Sequence, residues 1–447
     1  MIEKIAKRYK CILAGLGVVV IFNLHLLYSL AYDGKKIPQN EEVHKKLQAV
    51  GNGQYENSAL YMQNTSFQAM KNIEATLSRV SLFFTQKYST TYHNFSTLLI
   101  NRSLPPRVNL WQAAANWVTP TQIAPKSSTL LPHVLRALET GKILSANITS
   151  KGSQLKLLLM YEKGQKVLFK PKWYERDKVI LGKPYAGKDR HNGEIAAFHL
   201  ARLLGLNRAP IVSGRIVNLK EDILPVATYD LSRTFYKNGS NTCFYGVCLY
   251  CKPTDGVCAD GALLEGSVTL WLPEHWKLVR LRHPWQRSYT SSFATWELYT
   301  DYCSVIRKSK MYKDEDKILD LIEISVFDFL IGNGDRHHYE MFEAKGSKAL
   351  LIDNGKSFGN PHVDFIDTLA PLYQCCRIRE EFVSVLASLR DGQLSNWLEV
   401  LLSSSPLSPV LTKEHFEALD RRVNIVLAAI LYCINEKGEE EVLVTGL

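Results

Sequence analysis

The stretch from Leu330 to Gly359 constrains the fold most strongly, because it places two carboxylates in two different local contexts. A hydrophobic run ends in a polar loop that carries Asp335, and a second, short apolar run then leads to Asp353. We therefore expect a loop aspartate and a strand-end aspartate to face one cleft. This arrangement suits phosphoryl transfer, in which one carboxylate receives the proton of the acceptor hydroxyl and the other holds a metal on the nucleotide phosphates. Taken alone, Asp335 would more simply cap a turn.

The spacing within this stretch follows the protein-kinase pattern, although the residue types at several positions differ. Kinases place a polar ligand five residues after the catalytic-loop aspartate and an Asp-Phe-Gly sequence further on. Glu340 stands in the first of these positions relative to Asp335, and Asp353-Asn354-Gly355 stands in the second. The usual His-Arg-Asp order is absent, because His337 and His338 follow the aspartate. We expect these histidines to orient the loop through hydrogen bonds, since adjacent histidines rarely reach one metal ion.

Upstream, the pattern predicts the strand that a kinase needs on the other side of its cleft. Leu155–Tyr161 and Lys166–Phe169 are apolar runs joined by a short polar turn, which predicts a β-hairpin. Lys170 follows the second run, and a lysine at this point of a kinase strand binds nucleotide phosphates as a compact charge. A solvated lysine at a strand end is the alternative explanation, but the position of Lys170 after an apolar strand and before a helical glutamate favours the functional one. Lys172 is the other candidate lysine nearby.

The next element is a predicted helix from Gly193 to Leu204, with Asn192 as its N-cap and Gly205 at its end. Glu194 lies in its first turn, where a carboxylate is favourable next to the helix dipole. In a cleft, Glu194 can either pair with Lys170 or hold a metal. The pattern also predicts further strands and helices, at Pro210–Leu219, Gly266–Leu272, Asp316–Ile331, Arg379–Leu402 and Lys413–Cys433.

The N-terminal residues predict a membrane anchor. The segment 11–31 is mostly apolar, is long enough to cross a bilayer and follows a basic tail at 1–10. Because no small-residue cleavage site follows, we favour an uncleaved anchor over a signal peptide, with a cytoplasmic tail and a lumenal catalytic part. Residues 32–128 are polar and form a predicted lumenal stem, which includes a helix with an apolar stripe through Ile73 and Leu77. We expect that stripe to pack on the catalytic domain or on a partner.

A lumenal location predicts glycans and disulfides. Asparagine sequons lie beyond the anchor, at Asn64, Asn94, Asn101, Asn147 and Asn238. All cysteines except Cys11 also lie beyond the membrane segment, and an even number in an oxidising compartment predicts disulfides. The spacing of Cys243, Cys248, Cys251 and Cys258 would also suit a zinc site, which is the alternative.

Length and charge limit the remaining function classes. The chain of 447 residues suffices for one large two-lobed domain or for two domains, and a hydrophobic content of 46% fits a sizeable core. The formal net charge of +10 fits an acidic partner such as a polyanionic glycan. We find no focused basic patch of the kind that nucleic-acid binding requires, so we predict no nucleic-acid partner.

The run Gly-Asn-Gly-Asp-Arg-His-His-Tyr-Glu around Asp335 resembles the atypical secretory-pathway kinases. Further runs resemble the branch of this family that phosphorylates a sugar, at Arg190–Leu200, Trp271–Pro273, Arg282–Trp285 and Ala370–Cys376. The resemblance extends from about Leu130 to the C-terminus. It implies an α+β, two-lobed atypical kinase fold, with a small strand-rich lobe at 129–272 and a larger helical lobe at 273–447. A cysteine-rich insert at 243–258 belongs to the small lobe.

The resemblance also implies a role for each candidate residue. Asp335 is the catalytic base or the group that orients the hydroxyl, Glu194 and Asp353 hold the metal, and Lys170 binds phosphates. Asp353 also contacts the nucleotide. The other implied nucleotide contacts are Gln154, Glu340 and the hinge residues Thr269, Leu270, Trp271 and Leu272. The implied disulfides are Cys243–Cys258, Cys248–Cys251, Cys303–Cys375 and Cys376–Cys433.

The reaction implied by the resemblance moves the γ-phosphate of ATP, with Mn²⁺ or alternatively Mg²⁺, to the 2-hydroxyl of xylose. The acceptor is the galactosyl-xylose of the linkage region in proteoglycans, the product promotes glycosaminoglycan assembly, and the location is the Golgi membrane. Aromatic and basic residues that follow the hinge could form a sugar platform or ordinary packing between the lobes. They are Trp271, Trp276, Arg280, Arg282, His283, Trp285, Arg287 and Tyr289.

Three other functions are compatible with parts of this pattern. A secretory protein serine kinase would use the same catalytic residues, so the chemistry alone does not separate it. A non-catalytic pseudokinase that activates a partner would be favoured by loss of the metal-binding glutamate, and Glu194 is present. A glycosyltransferase would need a metal-binding Asp-x-Asp loop. The nearest acidic cluster is Asp314-Glu315-Asp316, and it stands at the start of a predicted helix.

Overall fold

The computed structural model describes residues 66–91, 93–99, 108–149, 152–290, 293–299 and 301–445. The predicted cytoplasmic tail, the anchor at 11–31 and the sequons at Asn64 and Asn101 lie outside these residues. Among the helices that are described, none is both long enough and apolar enough to cross a bilayer.

An antiparallel sheet of five strands forms the centre of the small lobe, in the order β1-β2-β3-β8-β4. The elements up to the hinge are α1 Ser66–Lys87, α2 Leu110–Trp117, α3 Leu131–Thr140, β1 Ile143–Ile148, β2 Leu157–Tyr161, β3 Lys166–Pro171, α4 His191–Leu203, β4 Val212–Asn218, α5 Tyr229–Ser232, β5 Phe235–Asn238, β6 Asn241–Phe244, β7 Val257–Cys258 and β8 Leu263–Leu270. The predicted hairpin is confirmed, because β2 pairs with β3 across the turn that contains Gly164.

The large lobe is mostly helical. Its elements are β9 Leu278–Arg282, α6 Thr295–Leu298, α7 Tyr302–Arg307, α8 Glu315–Ile331, β10 His338–Phe342, α9 Ala370–Cys375, β11 Ile378–Arg379, α10 Glu380–Ser388, α11 Gln393–Leu402, α12 Lys413–Lys437, α13 Glu439–Val442 and β12 Leu443–Val444. The buried helix α8 ends at Gly332, whose φ of 67° supplies the left-handed conformation that closes a helix. The sequence predicted that this helix ends here, and the loop that carries Asp335 follows directly.

The predicted helix in the stem is confirmed as α1. Its residues Ile73, Val80 and Phe84 are buried, at spacings that place them on one side of a helix. They pack along α12, where the Thr76 hydroxyl donates a hydrogen bond of 3.1 Å to the carbonyl of Ala428. Leu77 is 37% exposed, so its assignment to the buried stripe was wrong. The stripe therefore packs on the large lobe of the same chain.

Three local predictions differ from the structure. Asn192 is not an N-cap, because α4 already begins at His191 and the Asn192 amide donates to the carbonyl of Val410 at 3.3 Å. The predicted helix 379–402 is two helices, since the left-handed residues Asp391 and Gly392 break it. The apolar run before Asp353 forms no regular strand, because Leu350 and Leu351 donate to carbonyls on two different segments.

The cysteine-rich insert at 243–258 is part of a region with regular structure of its own. Strands β5, β6 and β7 form a separate antiparallel sheet, in which Phe235 stacks on Phe244 at 5.2 Å. The backbone N–H of Tyr250 donates to the carbonyl of Ser153 at 3.2 Å, so the insert touches the loop between β1 and β2. The structure pairs the cysteines as the resemblance implied, as Cys243–Cys258, Cys248–Cys251, Cys303–Cys375 and Cys376–Cys433.

Candidate active site

One face of the small-lobe sheet packs on a helix, and the other faces α4 and the large lobe. Register places Lys170 and Thr269 on one face and Leu270 on the other, because side chains alternate along a strand. The Leu270 face is covered by α3, where the Ser213 hydroxyl donates to Glu139 at 2.9 Å. The Lys170 face looks towards α4 and the large lobe. The Lys170 face is therefore the one on which the predicted cleft lies.

Lys170 is the centre of the charged cluster in this cleft. Its side chain is only 4% exposed, and its ammonium group lies 3.0 Å from Asp189, 2.5 Å from Glu194 and 2.8 Å from Asp353. Burial alone would lower the pKa of Lys170, but the carboxylates, Asp189 foremost, raise it well above its ordinary value. The lysine is therefore a fixed positive charge. Lys172, the alternative from the sequence, instead pairs with Glu175 at 2.8 Å.

Asp353 combines a pairing to Lys170 with access to the cleft. Its side chain is 68% exposed, in contrast to the buried lysine. The charge of Lys170 holds the pKa of Asp353 well below its ordinary value, against the opposing effect of desolvation. The backbone of Asp353 has a φ of 61°, a left-handed conformation that aspartate tolerates better than most residues. The carboxylate is thus permanently ionised and open to a ligand.

Asp335 lies on the loop after α8 and has its own set of partners. The Tyr289 hydroxyl donates a short hydrogen bond to its carboxylate, and its backbone N–H donates to Asn333 at 3.2 Å. The Nδ1 atom of His337 lies 2.7 Å from the Asp335 carbonyl and 3.6 Å from its carboxylate. Its hydrogen bond to Asp335 raises the pKa of His337. The prediction that a histidine orients this loop by hydrogen bonding is therefore confirmed for His337.

Arg336 ties the catalytic loop to the segment that carries Asp353. Its guanidinium makes two hydrogen bonds to the buried Asp328 on α8, at 2.8 and 2.7 Å. The same group donates to Asn354 at 2.9 Å and to the carbonyl of Ile352. The buried guanidinium of Arg336 thus links the loop that carries Asp335 to the segment that carries Asp353.

The remaining predicted nucleotide contacts are distributed around the cleft. Gln154 is half-buried in the loop between β1 and β2, and Glu340 lies on β10, 3.5 Å from Arg280. Leu270 does not line the cleft with its side chain, because strand alternation turns it to the opposite face. There it borders a cavity of about 270 Å³, together with Trp271, Leu272 and residues of α2. Contacts from this part of the hinge to a nucleotide must therefore use backbone groups.

Comparison with known proteins identifies the family. The family model described as "Golgi casein kinase, C-terminal, Fam20" matches residues 109–442. The chain belongs to the Fam20 family. This membership confirms the resemblance to the atypical secretory-pathway kinases and, with it, the prediction of a kinase-like fold.

Individual Fam20 relatives cover most of the chain. It is 50% identical to the human glycosaminoglycan xylosylkinase over 337 residues, which are 75% of this chain and 82% of the relative. The structure of hydra Fam20 with sugar is 44% identical, with a TM-score of 0.74, over 76% of this chain and 99% of that one. The Golgi casein kinase with Mn and ADP bound is 28% identical, with a TM-score of 0.75, over 82% and 92%.

The donor set of this Fam20 chain fits a hard divalent metal. Glu194 and Asp353 converge on one point, because each has an oxygen within 3 Å of the same lysine nitrogen. Mg²⁺ and, similarly, Mn²⁺ prefer oxygen ligands, and Mg²⁺ commonly takes one or two carboxylates and completes its shell with phosphates. In the residues that the structure covers, no three metal-ligating side chains form a cage. The two carboxylates would therefore share a metal with the nucleotide.

Sequence reasoning missed several residues of the Fam20 site. Asp189 contacts Lys170, and Arg336 contacts Asn354, the neighbour of Asp353; only Arg336 has a local signal, since it directly follows Asp335. Tyr289 was predicted only as part of a possible sugar platform, and its contact with Asp335 was missed. Lys156 is a second cation near the cluster. Burial, and next the charge of Lys170, lower the pKa of Lys156.

The candidate sugar platform combines packing contacts with the lining of a pocket, because His283, Trp285, Arg287 and Tyr289 border a small pocket next to His337. Trp285 is 5% exposed and donates from its indole nitrogen to Gln374 at 2.7 Å, and Arg287 pairs with Asp367. Trp276 packs on Phe342, with ring centroids 4.9 Å apart. Tyr289 differs from these residues, because it reaches the Asp335 carboxylate. Its ring also lies 4.5 Å from that of Tyr185, so an aromatic pair borders the catalytic loop.

Proposed function

We propose that this chain transfers the γ-phosphate of ATP to the 2-hydroxyl of xylose in the linkage region of proteoglycans. The observation that carries the proposal is its identity of 50% to the human glycosaminoglycan xylosylkinase across 82% of that protein. The cleft supports the same reaction class, because it brings Lys170, Glu194 and Asp353 together and places Asp335 on the loop tied to them.

Each residue has a role that follows from its position. Lys170 is a buried, fixed positive charge that borders the cleft, and it binds nucleotide phosphates. Asp335 accepts the proton of the acceptor hydroxyl or orients it, and Tyr289 holds its carboxylate in one orientation. Glu340, beside Arg280, contributes at the nucleotide.

Glu194 and Asp353 would hold the metal. A bound divalent ion would neutralise charge that develops on the transferred phosphoryl group. The Golgi casein kinase with Mn and ADP bound, a relative of similar fold, supports Mn²⁺ and an adenine nucleotide as ligands here. The hydra Fam20 structure with sugar supports a glycan as the acceptor class.

The proposed location is the lumenal side of the Golgi membrane, behind an uncleaved type II anchor at 11–31. The four disulfides fit an oxidising compartment. The sequon asparagines Asn94, Asn147 and Asn238 are exposed, as glycan acceptors must be. Of these, Asn238 lies at the tip of the β5–β6 hairpin, whereas Asn94 and Asn147 take part in side-chain hydrogen bonds.

The test is a direct comparison of acceptors. The purified full chain is incubated with labelled ATP and Mn²⁺, and with either a galactose-capped xyloside or casein. We expect kcat/KM for the xyloside to exceed that for casein at least ~10³-fold, a difference of about 4 kcal/mol in transition-state binding. Asp335→Ala is the control for a contaminating kinase.

Protein serine kinase activity is the second candidate, because the Golgi casein kinase shares the fold at 28% identity. Phosphate on serine and none on xylose would refute the sugar assignment and favour this alternative. The roles proposed for Lys170, Asp335 and Asp353 would be the same in both cases.

A further inference from the structure

Lys170 has more counter-charges than a phosphate-binding lysine needs. Ordinary protein kinases pair this lysine with one glutamate of the neighbouring helix. Here three carboxylates, Asp189, Glu194 and Asp353, lie within 3.0 Å of its nitrogen. Glu194 and Asp353 are the proposed metal ligands, so a bound metal would compete with Lys170 for their carboxylates. The third has no assigned role.

Asp189 differs from the other two in how its oxygens are used. Its Oδ2 atom accepts from Lys170, and its Oδ1 atom lies 4.0 Å from Lys356, so each oxygen faces a cation. Among the contacts of the described residues, the carboxylates of Glu194 and Asp353 each have Lys170 as their one hydrogen-bond partner. Among the described residues, the ion pairs of Glu194 and Asp353 are with Lys170 alone, whereas Asp189 lies between two cations, Lys170 and Lys356. A metal would therefore meet less competing positive charge at Glu194 and Asp353 than at Asp189.

The backbone around Asp189 is also locked in place. The N–H of Arg190 donates to the carbonyl of Gly355 at 2.7 Å, and its guanidinium donates to the carbonyl of Ser357 at 2.5 Å. A Cβ atom at Gly355 would lie 2.7 Å from the Asp189 carboxyl carbon, so only glycine fits against this side chain. Asp189 is 5% exposed, and its backbone is held against the segment that follows Asp353.

We infer that Asp189 is the counter-charge that holds Lys170 in position while Glu194 and Asp353 bind the metal. In ordinary kinases the glutamate of the neighbouring helix positions this lysine, and here Asp189 does so. This inference rests on the part of the proposed function that concerns nucleotide and metal, and it is independent of the acceptor.

The charges balance under this assignment. Before a nucleotide binds, a divalent metal matches the two negative charges of Glu194 and Asp353, and Lys170 matches Asp189. Without Asp189, the buried Lys170 would have no carboxylate of its own once the metal is bound. Removal of one partner from a buried ion pair is costly, because the remaining charge is left uncompensated.

The experiment compares three variants of the full chain. Asp189→Asn removes the proposed counter-charge at constant size, and Glu194→Gln removes a proposed metal ligand. Asp177→Asn is the matched control, because this aspartate lies in the same connection between β3 and α4 but is exposed. Calorimetry measures the affinity for ADP with Mn²⁺ and for adenosine, and the free Mn²⁺ signal in electron paramagnetic resonance measures metal affinity without nucleotide.

Asp189→Asn should weaken ADP binding by ~10-fold or more, the scale of one lost hydrogen bond to a charged group. Its affinity for adenosine, which has no phosphates, and for Mn²⁺ alone should remain that of the wild type. Glu194→Gln should lose Mn²⁺ affinity, and Asp177→Asn should change nothing. Asp189→Glu, which retains the charge, should recover part of the ADP affinity and provides a second test if Asp189→Asn does not fold.

Three results would overturn the inference. Unchanged ADP affinity in Asp189→Asn would mean that Lys170 needs no dedicated counter-charge. Loss of Mn²⁺ affinity equal to that of Glu194→Gln would make Asp189 a metal ligand. Equal losses for ADP and adenosine would mean that Asp189 supports the whole cleft rather than the lysine. None of these binding measurements contains an acceptor, so failure to phosphorylate xylose would leave them unaffected.

Discussion

Replacement of Arg336 by methionine should destabilise the protein strongly, because it leaves a buried charge without its partner. Asp328 is 1% exposed, and Arg336 provides two of its hydrogen bonds, at 2.8 and 2.7 Å. Asn333 would remain as one neutral partner at 3.2 Å. Breaking a buried pair by removing one member typically costs about 3–5 kcal/mol in free energy of unfolding. We expect a loss in this range for Arg336→Met.

The assay is urea unfolding of the wild type, of Arg336→Met, of Asp328→Asn and of the double variant. The double variant should be more stable than Arg336→Met alone, because it no longer buries an unpaired carboxylate. A surface control, Arg233→Met, should lose less than ~1 kcal/mol, because its pair with Asp230 is mostly exposed. Additive effects of the two buried substitutions, or a loss for Arg336→Met no larger than that of the control, would refute the reasoning.

The pH dependence provides an independent check with a defined sign. Burial raises the pKa of Asp328, and Arg336 opposes that rise. Without the arginine, the pKa in the folded state should lie further above that of the unfolded state. Folding then favours the protonated carboxyl, so the destabilisation of Arg336→Met should be small at low pH and grow as pH rises through the folded pKa. The deficit relative to the wild type should therefore shrink as the pH is lowered from 7 towards the ordinary pKa of an aspartate.

Three further outcomes test the site and the compartment. Asp335→Ala and Asp353→Ala should each lower kcat by roughly a hundredfold or more, the scale of a lost acid–base or charge-stabilising group, and only Asp353→Ala should also weaken Mn–ADP binding in calorimetry. Tyr289→Phe should lower kcat by ~10-fold and leave ADP affinity unchanged, because one charge-assisted hydrogen bond to Asp335 is lost; an unchanged kcat would remove Tyr289 from the site. Non-reducing peptide mapping should find no free thiol among the eight paired cysteines, and Cys375→Ser should reduce secretion more than specific activity, since a disulfide contributes about 2–5 kcal/mol.

Local signals predicted most of the elements around the cleft. The β2–β3 hairpin, α4 and the end of α8 at Gly332 each follow from apolar spacing and from glycine or polar residues within a few positions. One signal of this kind was overlooked, because the Asp391-Gly392 pair marks the turn that divides α10 from α11. Such elements can be predicted from the sequence because the residues that determine them lie within a few positions of one another.

The sequence by itself was enough to predict the family and to select Asp335, Asp353 and the strand lysine as candidate site residues, because these residues occur in continuous runs with a fixed order. Only the tertiary structure decided which groups surround them. Lys170 meets Asp353 across 183 positions of the chain, and Tyr289 meets Asp335 across 46. No local pattern records such pairs, because they exist only after the sheet, α4 and α8 have packed. The proposed role of Asp189 also depends on the tertiary structure, since its neighbours Lys170 and Gly355 are brought together only in the folded protein.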